Sequence, residues 1–206
     1  MLSKLFKDLI VLVSKLPGIG PRQATRIVFW LSNSKEFMAR LSKSLVDFHE
    51  HVKICCDCFL PFDTMENPHQ KQNMCNICSN PRRDNIIAII EKETDALSME
   101  ESGVFKGKYF VLGGRVSALR KAETTIRLKE LKDLLERMMK ENKPPKELII
   151  ATSTTAEGEL TAYEVKKIVE KFSGLKVTRL GRGVPIGGEI EFVDPETLKE
   201  SFEGRK

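Results

Sequence analysis

Four cysteines stand in two pairs, Cys55-x2-Cys58 and Cys75-x2-Cys78, sixteen residues apart. A CxxC sequence places two thiolates on one knuckle, and two knuckles supply four sulfurs, a closed tetrahedral shell for one zinc ion. Such a shell leaves no position for water. The expected ion is therefore structural, one Zn2+ per chain, and holds a small module that lacks a core of its own. Five cysteines behind an N-terminus without a leader pattern favour metal over a disulfide framework. The fifth, Cys56, is left unassigned, because replacing Cys55 would require a CxC geometry. His69, inside the spacer, reads as a solvated loop residue and not as a ligand.

A second pattern suits anions. Leu16-Pro17-Gly18-Ile19-Gly20 lies between two amphipathic stretches. Gly18 and Gly20 leave backbone amides accessible, and a helix starting at Pro21 adds its unpaired N–H groups and dipole. Arg22 and Arg26 follow one turn apart, placed to neutralise neighbouring phosphates without reading bases. The alternative is a plain helix connection with surface arginines; the combination of turn and flanking helices favours DNA binding.

A third set is acidic. Glu91 and Asp95 follow an apolar run, and Glu157 and Glu159 follow Thr152-Ser153-Thr154-Thr155. Carboxylates at strand ends of a parallel sheet often hold magnesium for phosphoryl transfer. Here the turn offers the hydroxyls of Ser153 and Thr155, and Glu157 and Glu159 equally suit the first turn of a helix. The glycine-rich Gly181–Gly188 lacks the Lys-Ser/Thr ending of a phosphate loop and reads as a turn before an edge strand, Glu189–Asp194.

These groups need a scaffold, and the hydrophobic pattern supplies one. Apolar residues at 3/4 spacing predict helices over 2–16, from Pro21 onward, and over 34–52, whose apolar faces should pack together. Ile86–Ile90, 109–112, 148–151 and 176–180 read as strands; 95–102, 123–141 and 159–172 read as helices. Alternation of the two predicts an α/β domain with a mainly parallel sheet. The expected class is α+β and multidomain: a helix-hairpin-helix segment (1–54), a four-cysteine zinc module (55–84), an α/β domain (85–175) and a C-terminal strand and helix segment (176–206).

The 206 residues carry a net charge of +5, and residues 1–54 hold nine Lys/Arg against four Asp/Glu. The whole excess thus lies beside the hairpin, the electrostatic footprint of a polyanion partner. No apolar run approaches the ~20 residues of a membrane span. No membrane partner is expected, and the cytoplasm is the default location.

In this order the parts resemble one known family. Leu16–Arg26, the four cysteines followed by Arg83-Asp84, the segment from Ile86 to Glu91, and Thr178–Asp194 with Phe202–Arg205 are similar to the RecR family of bacterial recombination mediators. The central domain resembles Toprim domains. The resemblance implies a non-enzymatic repair factor, cytoplasmic and nucleoid-associated. It implies homodimeric or homotetrameric rings that encircle DNA, including gapped DNA and duplex/single-strand junctions. It also implies work with RecO and RecF to load RecA at single-strand gaps. Carried over residue by residue, it assigns DNA contact to Gly18, Gly20, Arg22 and Arg26, zinc to Cys55, Cys58, Cys75 and Cys78, and a RecO contact to Glu157. Catalytic Toprim enzymes carry a DxD pair where this chain has Ser153 and Thr155, so the metal site looks disabled. The basic run Arg115–Thr125 departs from the family; Arg115, Arg120 and Lys121 either line a DNA channel or extend the next helix. Two other readings remain: a magnesium-dependent nuclease or primase using Glu91, Asp95, Glu157 and Glu159, and an adaptor that meets DNA only through partners.

Overall fold

The computed structural model describes residues 2–65, 73–117 and 126–205; His69, Arg120 and Lys121 lie outside them. The chain divides into two compact units, residues 1–52 and 53–206.

The first unit is helical: α1 (Lys4–Val13), α2 (Pro21–Asn33) and α3 (Lys35–His51). Pro21 occupies the first position of α2, where its missing N–H costs nothing. Ala24, Val28 and Leu31, spaced by four and three, form the buried stripe of α2. Phe6 meets Phe29 at 5.4 Å between ring centres, and Trp30 meets Phe37 at 4.9 Å. The expectation that all three apolar faces are buried holds only for α2. α1 and α3 bury no residue fully, and Leu5, Leu45 and Phe48 stay 82%, 60% and 64% exposed. Apolar side chains spread over a wider arc of these helices than a single neighbouring helix covers.

From the last residue of the first unit onward come two short strands, β1 (Val52–Ile54) and β2 (Pro61–Asp63), paired with each other, and the one-turn helix α4 (Asn76–Ser79). Then follow β3 (Ile86–Ile90), α5 (Glu93–Ser102), β4 (Lys108–Val111), α6 (Leu128–Lys140), β5 (Glu147–Ala151), α7 (Ala156–Val169) and β6 (Lys176–Arg179). The four long strands form one sheet in the order β4-β3-β5-β6, parallel throughout. Helical crossovers are what parallel neighbours require. The sheet takes in residues 176–179, beyond the boundary drawn at 175. β3 is apolar on both faces because both are covered. Ile87 and Ile89 join Leu131, Leu135, Val165 and Val169 of α6 and α7 on one side. Ala88 and Ile90 join Ala96 of α5, Leu60 and the four cysteines on the other.

Two expectations change. α6 starts at Leu128, later than the charge pattern proposed. Glu189–Asp194 is not a strand: Ile190–Phe192 form a single 3-10 turn, and α8 (Pro195–Glu203) follows, capped by Asp194, whose Oδ1 accepts from the Thr197 amide at 2.9 Å. A strand needs a neighbour for its amides and carbonyls, and no strand of the chain pairs with this segment among the described residues.

Candidate metal centre and nucleic-acid interface

The cysteine cluster is built from two turns. Cys55 and Cys58 flank a tight loop closed by the Cys55 amide on the Leu60 carbonyl and the Phe59 amide on the Cys55 carbonyl, with Phe59 at φ +63°. Cys75 caps α4 and Cys78 lies within it. All four are buried, and their Sγ atoms lie within 4.8 Å of one another, Cys58 and Cys75 at 3.5 Å. A tetrahedron with bonds of about 2.3 Å has sulfur edges of about 3.8 Å. The four sulfurs therefore need to shift only slightly to close on one ion. The Cys75 amide points at Cys55 Sγ (3.4 Å) and the Cys78 amide at Cys75 Sγ (3.5 Å), donors that stabilise thiolates. The hydrogen bond with Cys58 draws the Cys55 thiol down, whereas bonding to Cys55 and burial push Cys78 up. Protons held there must leave when a metal enters, so its affinity rises with pH. Cys56 is exposed and stands apart from the four.

The module is not an appendage. The Val111 amide on the edge strand β4 donates to the Cys58 carbonyl at 3.0 Å. Phe59 packs edge-on against Phe110 at 5.5 Å, and the Arg127 guanidinium lies over the Phe59 ring at 4.8 Å. The cysteine turn thus caps a sheet edge that would otherwise present unpaired backbone.

At the hairpin, α1 ends at Val13 and Gly18 takes φ +77°, a conformation that a Cβ would strain. Gly20, at φ −83°, needs no glycine for its backbone; it caps α2 without a side chain, and a Cβ there would meet nothing within 4 Å. The first intrahelical amide of α2 is that of Ala24, which donates to the Gly20 carbonyl at 2.9 Å. Pro21 has no N–H, so the amides of Arg22 and Gln23 are left over, with no side-chain cap. Arg22 and Arg26 are exposed and form no ion pair among the described residues. Turn, free amides and two unspent guanidiniums converge on one helix start.

At the carboxyl end of β3 the situation is reversed. Glu91 is 1% exposed. Its Oε1 accepts from the Ser153 amide at 2.9 Å; its Oε2 accepts from Ser153 Oγ at 2.7 Å and from Arg115 Nε at 2.6 Å. Gly158 lets α7 approach: a Cβ there would fall 2.0 Å from the Ser153 carbonyl and 3.0 Å from Glu91 Oε1. Thr155 caps α7 by accepting from the Gly158 amide, and the Val116 amide donates to Thr161 Oγ1 at 2.8 Å. The other acids are spread out. Asp95 Oδ2 accepts from the Glu91 and Lys92 amides and caps α5. Glu159 binds Arg179 and Arg182, with Arg179 holding its carboxyl below the usual range. Glu157 is exposed on the first turn of α7, with no ion pair among the described residues. The four carboxylates considered for magnesium therefore do not converge. Arg115 is committed to Glu91 and is not a free channel-lining cation.

Sequence reasoning missed these arginine partners. Arg83 grips Glu100, which also accepts from the Tyr109 hydroxyl at 2.6 Å. Arg182 joins Glu159 of α7 to Glu196 of α8. Arg83-Asp84 after the last cysteine was visible as a motif; its partner seventeen residues away was not.

Residues 85–181 match the Toprim domain family, and residues 183–206 match the C-terminal region of RecR. Recombination protein RecR of Geotalea uraniireducens is 38% identical over 99% of this chain and 97% of its own length. Those of Roseiflexus castenholzii and Francisella tularensis are 36% and 38% identical, over 96% and 100% of this chain and 91% and 98% of their own. The chain belongs to the RecR family. Its Toprim portion is the four-stranded sheet with α5, α6 and α7, and its RecR C-terminal portion begins two residues after the sheet domain and contains α8. In this RecR-family chain the four cysteines are a group competent to hold a metal ion. Among the described residues no helix is long and apolar enough to cross a membrane.

Proposed function

We propose that this chain is a non-enzymatic recombination mediator that grips DNA without reading its sequence. The observation that carries this reading is the open start of α2: leftover amides of Arg22 and Gln23, the Gly18 turn, and the exposed Arg22 and Arg26. Phosphates on successive nucleotides fit these groups, and gapped duplex offers them next to single strand. The names of the relatives, recombination proteins, support a role in recombination. The absence of chemistry is supported by Glu91, whose carboxylate is occupied by Arg115 and Ser153. A hydroxyl at Ser153 or Thr155 does not neutralise magnesium as a carboxylate does.

In this reading the cysteines hold one structural zinc, since four thiolates on two knuckles suit that ion. The exposed apolar faces of α1 and α3, and Ile186, Ile190 and Phe192 in the C-terminal segment, become covered in a homodimeric or homotetrameric ring. The ring gives residence on DNA at modest affinity. Glu157, exposed at the start of α7, contacts RecO; RecF joins the same platform, and the complex loads RecA at gaps in the bacterial cytoplasm, at the nucleoid. Titration of gapped DNA by fluorescence anisotropy at two salt concentrations tests the core of this. Salt-sensitive binding that Arg22→Ala/Arg26→Ala weakens strongly is the expected result. Equal binding by both proteins would move the contact to the segment after Gly114, and binding by neither would leave a partner-dependent adaptor.

A further inference from the structure

A cavity of about 980 Å³ opens at the N-terminal ends of β3 and β4, beside the cysteine module and away from Glu91. Met74, Ile87, Leu134 and Met138 form an apolar wall. Around it stand Arg83, Lys108, Arg137, Lys143 and Lys146, against Asp57 and Glu141. Two of these cations are already spent, Arg83 on Glu100 and Arg137 on Asp57. Lys108, Lys143 and Lys146 form no ion pair among the described residues. The lip carrying two of them is held in place. Asn142 turns the chain at φ +57°, Asn85 Nδ2 donates to the Pro144 carbonyl at 2.8 Å, and the Lys146 amide donates to the Asn85 carbonyl at 2.8 Å.

We propose that this cavity docks an acidic segment of a partner protein that carries a leucine- or phenylalanine-sized anchor. The anchor enters between Met138 and Ile87, and carboxylates on either side meet the three unspent lysines. Charge complementarity selects the acidic segment, and the aliphatic wall selects an apolar side chain over a base. Single-stranded nucleic acid would need an open aromatic face to stack on. Among the described residues the one aromatic in the lining, Tyr109, is 2% exposed and its hydroxyl is bound to Glu100. The methionines supply an adaptable surface, suited to an anchor of either shape. This surface is distinct from the start of α2, so its failure leaves the DNA-binding reading intact.

The test uses the full-length, zinc-loaded protein and a fluorescein-labelled peptide of four Asp-Glu-Leu repeats, read by anisotropy at low salt. Micromolar binding is expected. Replacing the leucines by serine, or introducing Lys143→Glu/Lys146→Glu, each weakens it about tenfold or more. Lys166→Glu/Lys171→Glu, elsewhere on the surface, changes it less than about twofold. Lys143→Gln/Lys146→Gln gives an intermediate loss and guards against misfolding of the reversed variant, whose melting temperature is expected to match the parent. Gapped-DNA affinity stays unchanged in both pocket variants. No binding, binding indifferent to the leucines, or equal loss in the control variant overturns the proposal. So does an oligothymidylate that binds more tightly than the peptide through Lys143 and Lys146.

Discussion

The carboxyl end of β3 and the start of α2 both set polar groups beside a helix N-terminus, with opposite inventories. Around Glu91 the central pair is spent: its two oxygens take three donors from Ser153 and Arg115, and Thr155 caps α7, although the buried Thr152 hydroxyl finds no partner among the described residues. At α2 the cap has no side chain, two amides are left over, and two guanidiniums stand in solvent. A group satisfied within the chain stabilises the fold and has little left for a ligand. A group left unsatisfied contributes little to the fold and is available. Glu91 is held within the framework, whereas the turn before α2 leaves its polar groups open.

The contrast predicts that damage to spent groups lowers stability and damage to unspent groups lowers binding. The largest effect belongs to the cysteines. Cys78→Ser should abolish stoichiometric zinc in native mass spectrometry and destabilise residues 53–206 by more than about 5 kcal/mol, because metal binding and folding share one free energy. A metal-free variant that unfolds like the parent would make the cluster a plain thiol core.

Glu91→Gln should come next, at about 2–4 kcal/mol in denaturant unfolding, since it leaves Arg115 without its counter-charge in a mostly buried site. Arg115→Met on that background should recover part of the loss. A variant that kept its stability while losing a metal-dependent activity would reverse the comparison. For Arg22→Ala/Arg26→Ala the stability change should stay within about 0.5 kcal/mol. The dependence of DNA affinity on salt should fall by about two counterions. A large stability loss there would make the arginines structural.

The smallest effect is a pH dependence. Arg83, and then the Tyr109 hydroxyl, hold the Glu100 carboxyl below its ordinary range. Its folded value is below its unfolded value, so its contribution is fully present above the ordinary carboxylate range and is lost as pH falls through the lower folded value. Glu100→Gln should cost about 1 kcal/mol at neutral pH. Measured by denaturant unfolding, that difference from the parent should vanish on acidification.

Particular elements show how far the sequence could be read. β3 was legible because five consecutive apolar residues have few alternatives between flanking breaks, and the cysteines because ligand spacing is local. The Gly18 turn was legible for the same reason. Glu189–Asp194 misled: its alternating Ile190 and Phe192 follow strand periodicity, yet both are exposed, at 69% and 80%. The alternation reports a need for apolar cover and not what provides it. α1 and α3 misled in the same way, since their apolar arcs exceed what one unit of this chain encloses.

The sequence by itself determined the order of the helices and strands from α1 to α3 and from β3 to β6, the four candidate metal ligands, the hairpin with its basic pair and the family resemblance, because each rests on spacing within a few residues or on motifs in order. Tertiary structure alone decided that the cysteine module shares a core with the sheet, that Arg115 occupies Glu91, that Arg182 ties α7 to α8, and that three lysines surround an apolar cavity. Those pairs are 14 to 24 residues apart or more, as with Arg182 to Glu196 and Arg115 to Glu91. Which side chains meet at such distances is set by how strands and helices pack, and the period of a sequence carries no record of it.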